Sequence, residues 1–148
     1  MKQLNFPSYD FKIRKSANGF EILDDVRKKW VVLTPEEWVR QHTIRWLISE
    51  KNYPAGLIAI ERQILINGVS NRFDAVVFDR NASPLIVVEC KAPEVEINEA
   101  VFDQAARYNM NVNASMLLIT NGISHYCCTI NHQEQTYQFL KDLPKYRP

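Results

Sequence analysis

Polar and apolar residues alternate with period two from Tyr9 to Arg14, pause at Ser16-Ala17-Asn18-Gly19 and resume at Phe20-Glu21-Ile22-Leu23, which predicts a β-hairpin. The apolar run Trp30-Val31-Val32-Leu33 adds a further short strand. At Thr34-Pro35-Glu36-Glu37 the period changes. Thr at the N-cap, Pro at the first helical position and Glu three residues after the cap predict a helix running to about Lys51, with Trp38, Val39, Trp46 and Leu47 on its apolar face. Three strand-like runs follow: Leu57–Ile66, Arg72–Asp79 and Leu85–Lys91, separated by turns at Asn67-Gly68 and Asn81-Ala82-Ser83-Pro84. The third run is continuously apolar, as a central strand covered on both faces requires. A second helix over about Ile97–Asn111 precedes strands at Ser115–Thr120 and His125–Ile130. The segment Thr136–Leu140 fits either a last strand or a short helix.

This order predicts an α/β (α+β) fold, a mixed sheet flanked by helices with an amino-terminal β-hairpin extension. Residues 1–33 form the extension packed on the core, and residues 34–148 form one compact unit. The 148 residues, 46% of them apolar, suffice for a buried core without disulfides or metal, and leave no room for a motor domain. The net charge of +1 excludes bulk electrostatics as an argument for nucleic-acid binding; any such surface must be local. The start of the chain lacks the apolar core of a signal peptide and no stretch matches a membrane span. Cys90, Cys127 and Cys128 form neither a disulfide framework nor a CxxC site, so a reducing cytoplasm is the expected location.

The residues that carry chemistry are Asp74, Glu89 and Lys91. If the second and third runs pair as an antiparallel hairpin centred on Asn81-Ala82, Asp79 faces Pro84 and Asp74 faces Glu89, with Glu89 and Lys91 on one face and Cys90 on the other. Two carboxylates so close need a positive partner. A divalent cation is one solution, since two carboxylates, a nearby backbone carbonyl and waters make a hard oxygen site for Mg²⁺ or Mn²⁺, and an ammonium beside it suits phosphodiester hydrolysis. Ordinary salt bridges from Lys91 or Arg72 are the other solution.

Asp74, fourteen intervening residues, then Glu89-Cys90-Lys91 resembles the PD-(D/E)XK nuclease signature. With the flanking Arg72–Asp79, Val88–Pro93, Gln104-Ala105-Ala106-Arg107-Tyr108 and Thr120-Asn121-Gly122, about Pro35 to Tyr126 resembles the amino-terminal nuclease domain of the type I restriction enzyme R (motor) subunit. The resemblance implies a restriction-endonuclease-like fold and a Mg²⁺- or Mn²⁺-dependent deoxyribonuclease. Asp74, Glu89 and the Cys90 backbone carbonyl would be metal ligands and Lys91 the catalytic lysine. Gln104 and Tyr108, matching a Gln-x-x-x-Tyr motif on one helix face, would brace the site or contact DNA, with Arg72 beside them. Glu37 fits both an acidic residue approaching the metal and the third residue of a capping box. The implied partners are DNA, a separate motor or restriction-modification subunit, and a second copy, because cutting both strands with one site per chain calls for a dimer or a partner. The alternative is a nucleic-acid-binding or assembly module that kept the fold without the activity.

Other residues carry less. Glu61 alternates with Ile60 and reads as solvent-facing. Arg14-Lys15, Arg27-Lys28-Lys29 and Arg40 read as a local basic surface for phosphates or as solvated charge. His42, His125 and His132 have no zinc-ligand spacing.

Overall fold

The computed structural model describes residues 1–66 and 68–148. Three short strands, β1 (Ile13–Ser16), β2 (Gly19–Asp24) and β3 (Lys29–Val32), form an antiparallel sheet of their own. Helix α1 (Pro35–Ser49) follows, then a 3-10 turn at Ala55–Leu57. The strands β4 (Ile58–Ile66), β5 (Val69–Phe78) and β6 (Pro84–Cys90) come next, then α2 (Glu99–Asn109), β7 (Met116–Thr120), β8 (His125–Asn131) and β9 (Thr136–Leu140). The six later strands make one mixed sheet in sequential order, antiparallel except for β6 and β7. That parallel pair is joined by α2, the crossover such a pairing demands. The expected α+β architecture is observed, and Thr136–Leu140 is a strand.

The sheet has a core on each face. Val39, Ile44 and Leu47 of α1 pack with Ala75, Val77, Ile86, Val88, Leu118 and Cys127 on one side. Phe102, Ala106 and Met110, at and just beyond α2, pack with Phe73, Val76, Val87, Leu117, Ile119 and Cys128 on the other. Strands β6 and β7 are thus buried on both faces, which is why their sequences are continuously apolar.

The first twelve residues lie over α1. Phe6, Tyr9 and Phe11 pack their rings around His42, and Phe6 also meets Trp46 and His125. The Trp38 indole donates to the Lys2 carbonyl, and Asn5 N–H donates to the Gly122 carbonyl. Burial pushes the His42 and His125 imidazoles below their ordinary value, against the opposing effect of hydrogen bonds to the Trp38 and Asn5 carbonyls.

Three expectations need correction. Strand β1 begins at Ile13 rather than Tyr9, because Tyr9 and Phe11 are drawn onto α1. Strand β5 begins at Val69, three residues before the expected start, since β4 supplies hydrogen-bonding partners throughout. Of the Asn67-Gly68 turn, Asn67 lies outside the described residues and Gly68 has φ +78°, as a tight turn requires. Finally, Pro84 pairs with Phe78, not with Asp79, because the register shifts at a bulge between Val77 and Phe78. The Asp79 carboxylate accepts the Asn81 and Ser83 N–H groups and Ala82 adopts φ +61°, so Asp79 belongs to the turn.

Candidate active site

Beyond the bulge, β5 and β6 hold the expected alignment, with Val77 opposite Ile86, Val76 opposite Val87 and Ala75 opposite Val88. The next pair would be Asp74 and Glu89. There the ladder gives way to a side chain: Asp74 Oδ2 accepts the Cys90 N–H at 2.7 Å. Asp74 and Glu89 line one cavity of about 300 Å³ together with Arg40, Glu61, Arg72 and Phe73. Glu89 also lines a second cavity, of about 330 Å³, with Lys91, Gln104 and Tyr108. The structure therefore gathers Asp74, Glu89, Lys91, Gln104, Tyr108 and Arg72 around two depressions that meet at Glu89. Four residues apart on α2, Gln104 and Tyr108 face the same side, and the Tyr108 hydroxyl donates to Asn71 Oδ1 at 2.7 Å.

The first cavity is dominated by ion pairs. Arg40 is 7% exposed and its guanidinium reaches Glu37 at 2.8 Å, Asp74 at 3.0 Å and Glu61 at 3.4 Å. Burial alone would lower the Arg40 pKa, but the Glu37 and Asp74 carboxylates outweigh it and hold the guanidinium above its ordinary value. Arg27, from the turn between β2 and β3, pairs with Asp24, Glu37 and Glu61, and Arg72 pairs with Glu61. The Gln41 amide bridges Asp24 and Glu37. Burial pushes the Asp24 carboxyl up, yet hydrogen bonds from Arg27 and Gln41 carry it below its usual range.

This network revises four readings. Glu37 realises half of a capping box: its N–H donates to Thr34 Oγ1, while its carboxylate turns to Arg27, Arg40 and Gln41. Arg40, buried, and Arg27, half-buried, are counter-ions of the network rather than a solvated basic surface. Glu61 is no simple solvent-facing residue, since it meets three arginines at the wall of the cavity. Its backbone is left-handed, φ +53°, inside a strand, a conformation costing ~1–3 kcal/mol that the three pairings help hold. The same irregularity turns the hairpin over: Ala75 packs on the α1 side and Phe73 on the α2 side, although a regular strand would put both on one face. Period-two reasoning could not find this, because it assumes regular strands.

Asn109 is the residue that spacing could not single out. It is fully buried at the end of α2, and its Nδ2 donates both to Glu89 Oε1 at 2.9 Å and to the Ala105 carbonyl at 2.7 Å. Two acceptors fix the amide orientation, which leaves Oδ1 buried without a partner. The amide thereby fixes the Glu89 carboxylate at the junction of the cavities. The Lys91 N–H donates to the Thr120 carbonyl of β7, which extends the parallel pairing past β6, and its ammonium makes no ion pair among the described residues. The Cys90 thiol lies on the opposite face against Thr43, and burial raises its pKa, so the carboxylates face no competition from a thiolate.

Whether a metal fits can be judged from the donors. Asp74 and Glu89 are hard oxygen donors from neighbouring strands opening on one cavity, the chemistry that Mg²⁺ and Mn²⁺ select. Among the described residues, no set of three or more His, Cys, Asp or Glu side chains comes together as a metal cluster, and Asp74 Oδ1 is held by Arg40. The donor type fits; the carboxylate pair needs backbone and water oxygens to complete a shell.

The chain resembles both a solved structure and a described family. No curated protein matches the chain. A fragment structure described as an HsdR subunit of a type I restriction enzyme from Vibrio vulnificus YJ016 aligns with 19% identity and a TM-score of 0.45, covering 72% of this chain and 23% of that one. The chain thus spans less than a quarter of that protein's length. The family model for the type I restriction enzyme R protein N terminus (HSDR_N) matches residues 35–144, from the first residue of α1 to beyond β9, taking in both cavities. On that match, the chain belongs to the family of type I restriction enzyme R protein N-terminal domains.

Proposed function

We propose that the chain is a metal-dependent DNA endonuclease-like domain that hydrolyses phosphodiester bonds. The observation that carries this reading is the meeting of Asp74, Glu89 and Lys91 around two adjoining cavities, with Gln104 and Tyr108 across from them. Asp74, Glu89 and the Cys90 carbonyl would hold Mg²⁺ or Mn²⁺. When bound, the ion would supply a water of lowered pKa and positive charge against the scissile phosphate. The Lys91 ammonium donates hydrogen bonds to a phosphate oxygen and stabilises the charge that grows there. Asn109 fixes the Glu89 carboxylate, so little reorientation is needed when substrate arrives. Gln104 and Tyr108 offer an amide and a hydroxyl to the sugar-phosphate backbone, and Arg72 supplies a cation on the opposite rim.

One observation favours a second reading, a DNA-binding or assembly module without activity. Arg40 already neutralises Asp74, as a retired metal site would need. Cleavage of supercoiled and linear single-stranded DNA with Mg²⁺ or Mn²⁺, comparing the wild type with Lys91→Ala, separates the two. Metal-dependent cutting lost in the variant supports the nuclease; equal cutting or none rejects it for this chain alone.

A further inference from the structure

The β4–β5 hairpin continues past the sheet. The β5–β6 ladder ends at Ala75–Val88, and β4 is an edge strand, so from Arg72 outward β5 pairs only with β4. Four rises from Arg62 to Ile66 make a two-stranded ribbon about 13 Å long.

Its two faces differ. On the α2 side, Ile64 packs against the core, Asn71 receives the Tyr108 hydroxyl and Arg62 sits over the Phe78 ring. The other face carries the cross-strand pairs Gln63–Arg72 and Leu65–Ser70, all four exposed, with the Arg72 side chain 61% exposed. No acidic residue occurs from Arg62 to Phe73, in a chain that is otherwise balanced in charge. This face also runs directly into the candidate site, because Arg72 lines the cavity that holds Asp74 and Glu89.

We infer that this ribbon is the arm by which the domain grips duplex DNA, its Gln63–Ser70–Arg72 face turned to the phosphates and groove. The inference rests on the nuclease reading for its choice of ligand. A two-stranded ribbon fits the roughly 12 Å major groove, and an amide, a hydroxyl and a guanidinium are the donors that phosphates and base edges accept. Leu65 at 74% exposure adds an apolar contact for sugar or thymine methyl. Tyr108, tied to Asn71, anchors the ribbon to the helix that faces the site, so a duplex held by the ribbon passes the Asp74–Glu89 cavity.

The test is anisotropy of a labelled duplex of about two helical turns, roughly 20 base pairs, in Ca²⁺, a hard cation suited to carboxylates. Gln63→Glu/Ser70→Glu should weaken binding about tenfold or more at low salt, with the loss shrinking as salt screens the added charges. Lys145→Glu, which changes net charge equally at a remote exposed position, should stay within about twofold. Melting temperatures of both variants should match the wild type. Equal losses in the two variants, ribbon-variant affinity within twofold of the wild type, or no duplex binding by the wild type would overturn the inference. So would sedimentation of the wild type as a dimer that the ribbon substitutions dissolve without changing DNA affinity, since the free β4 edge would then serve a second copy. A wild type that binds duplex through the ribbon but cuts nothing retires the nuclease and leaves the arm. One that cuts DNA while the ribbon variant binds normally does the reverse.

Discussion

Helices α1 and α2 cover opposite faces of one sheet and bury opposite chemistries. The buried side of α2 is Phe102, Ala106 and a single polar residue, Asn109; that of α1 includes Glu37, Arg40, Gln41, His42 and Thr43 beside Val39, Ile44 and Leu47. The reason lies outside α1. The end of β2 and the turn after it bring Asp24 and Arg27 against it, and the first twelve residues cover the rest, so its polar face is enclosed and must be paired. Among the described residues nothing comparable covers α2, whose Gln104 and Tyr108 stay exposed toward Lys91. Charge on the α1 side is saturated by structure, whereas Lys91 on the α2 side makes no ion pair among the described residues.

The sharpest way to break this contrast is Arg40→Met. Removing the guanidinium leaves Glu37 and Asp74 without their shared partner, and urea denaturation should show a loss of about 3–5 kcal/mol. A loss below about 1 kcal/mol would mean that the network is no more than a surface array. Next in size is Asn109→Ala, which removes both donors at the one buried polar position of α2. Stability should fall by about 1–3 kcal/mol, and Mn²⁺ affinity, read by electron paramagnetic resonance, should fall about tenfold. Unchanged Mn²⁺ affinity would make Asn109 a purely structural residue.

A smaller effect concerns the covered side alone. His42 and His125 have folded pKa values below the ordinary 6.5, so the unfolded chain binds more protons as the pH drops. Their contribution is present in full above about 6.5 and is lost as the pH falls through the lower folded values. The melting temperature should therefore decline below pH 6.5, and His125→Gln should remove one of the two contributions; an unaltered pH profile would rule that out. The smallest effect on stability belongs to the open side. Gln104→Ala should move stability by no more than about 0.5 kcal/mol while lowering the rate of DNA cleavage, and a variant that cuts as fast as the wild type would remove Gln104 from the site.

Much of this architecture was legible residue by residue. Thr34-Pro35 marks the start of α1, the apolar runs of β6 and β7 announce a central parallel pair, and the expected alignment holds from Val77–Ile86 to Ala75–Val88, although the bulge at Val77 and Phe78 offsets the pairing beside the turn and the ladder stops short of Asp74 and Glu89. Arg27, Arg40 and Glu61 differ from their sequence reading because, apart from the neighbours Asp24 and Glu37, the groups that pair with them come from distant parts of the chain. Their surroundings come from β2, α1 and β4, and no local pattern reports that convergence.

The sequence by itself determined the order of elements, the alternation that buries the sheet, and the Asp74, Glu89, Lys91 set at the end of its central strands, because these depend on short-range periodicity and turn chemistry. Only the tertiary structure decided which charges are spent and which are free. Burial of an ionised group is settled by what packs over it, and here residues of the amino-terminal sheet and segment, outside the family match, enclose the arginines of one side and leave the lysine of the other open.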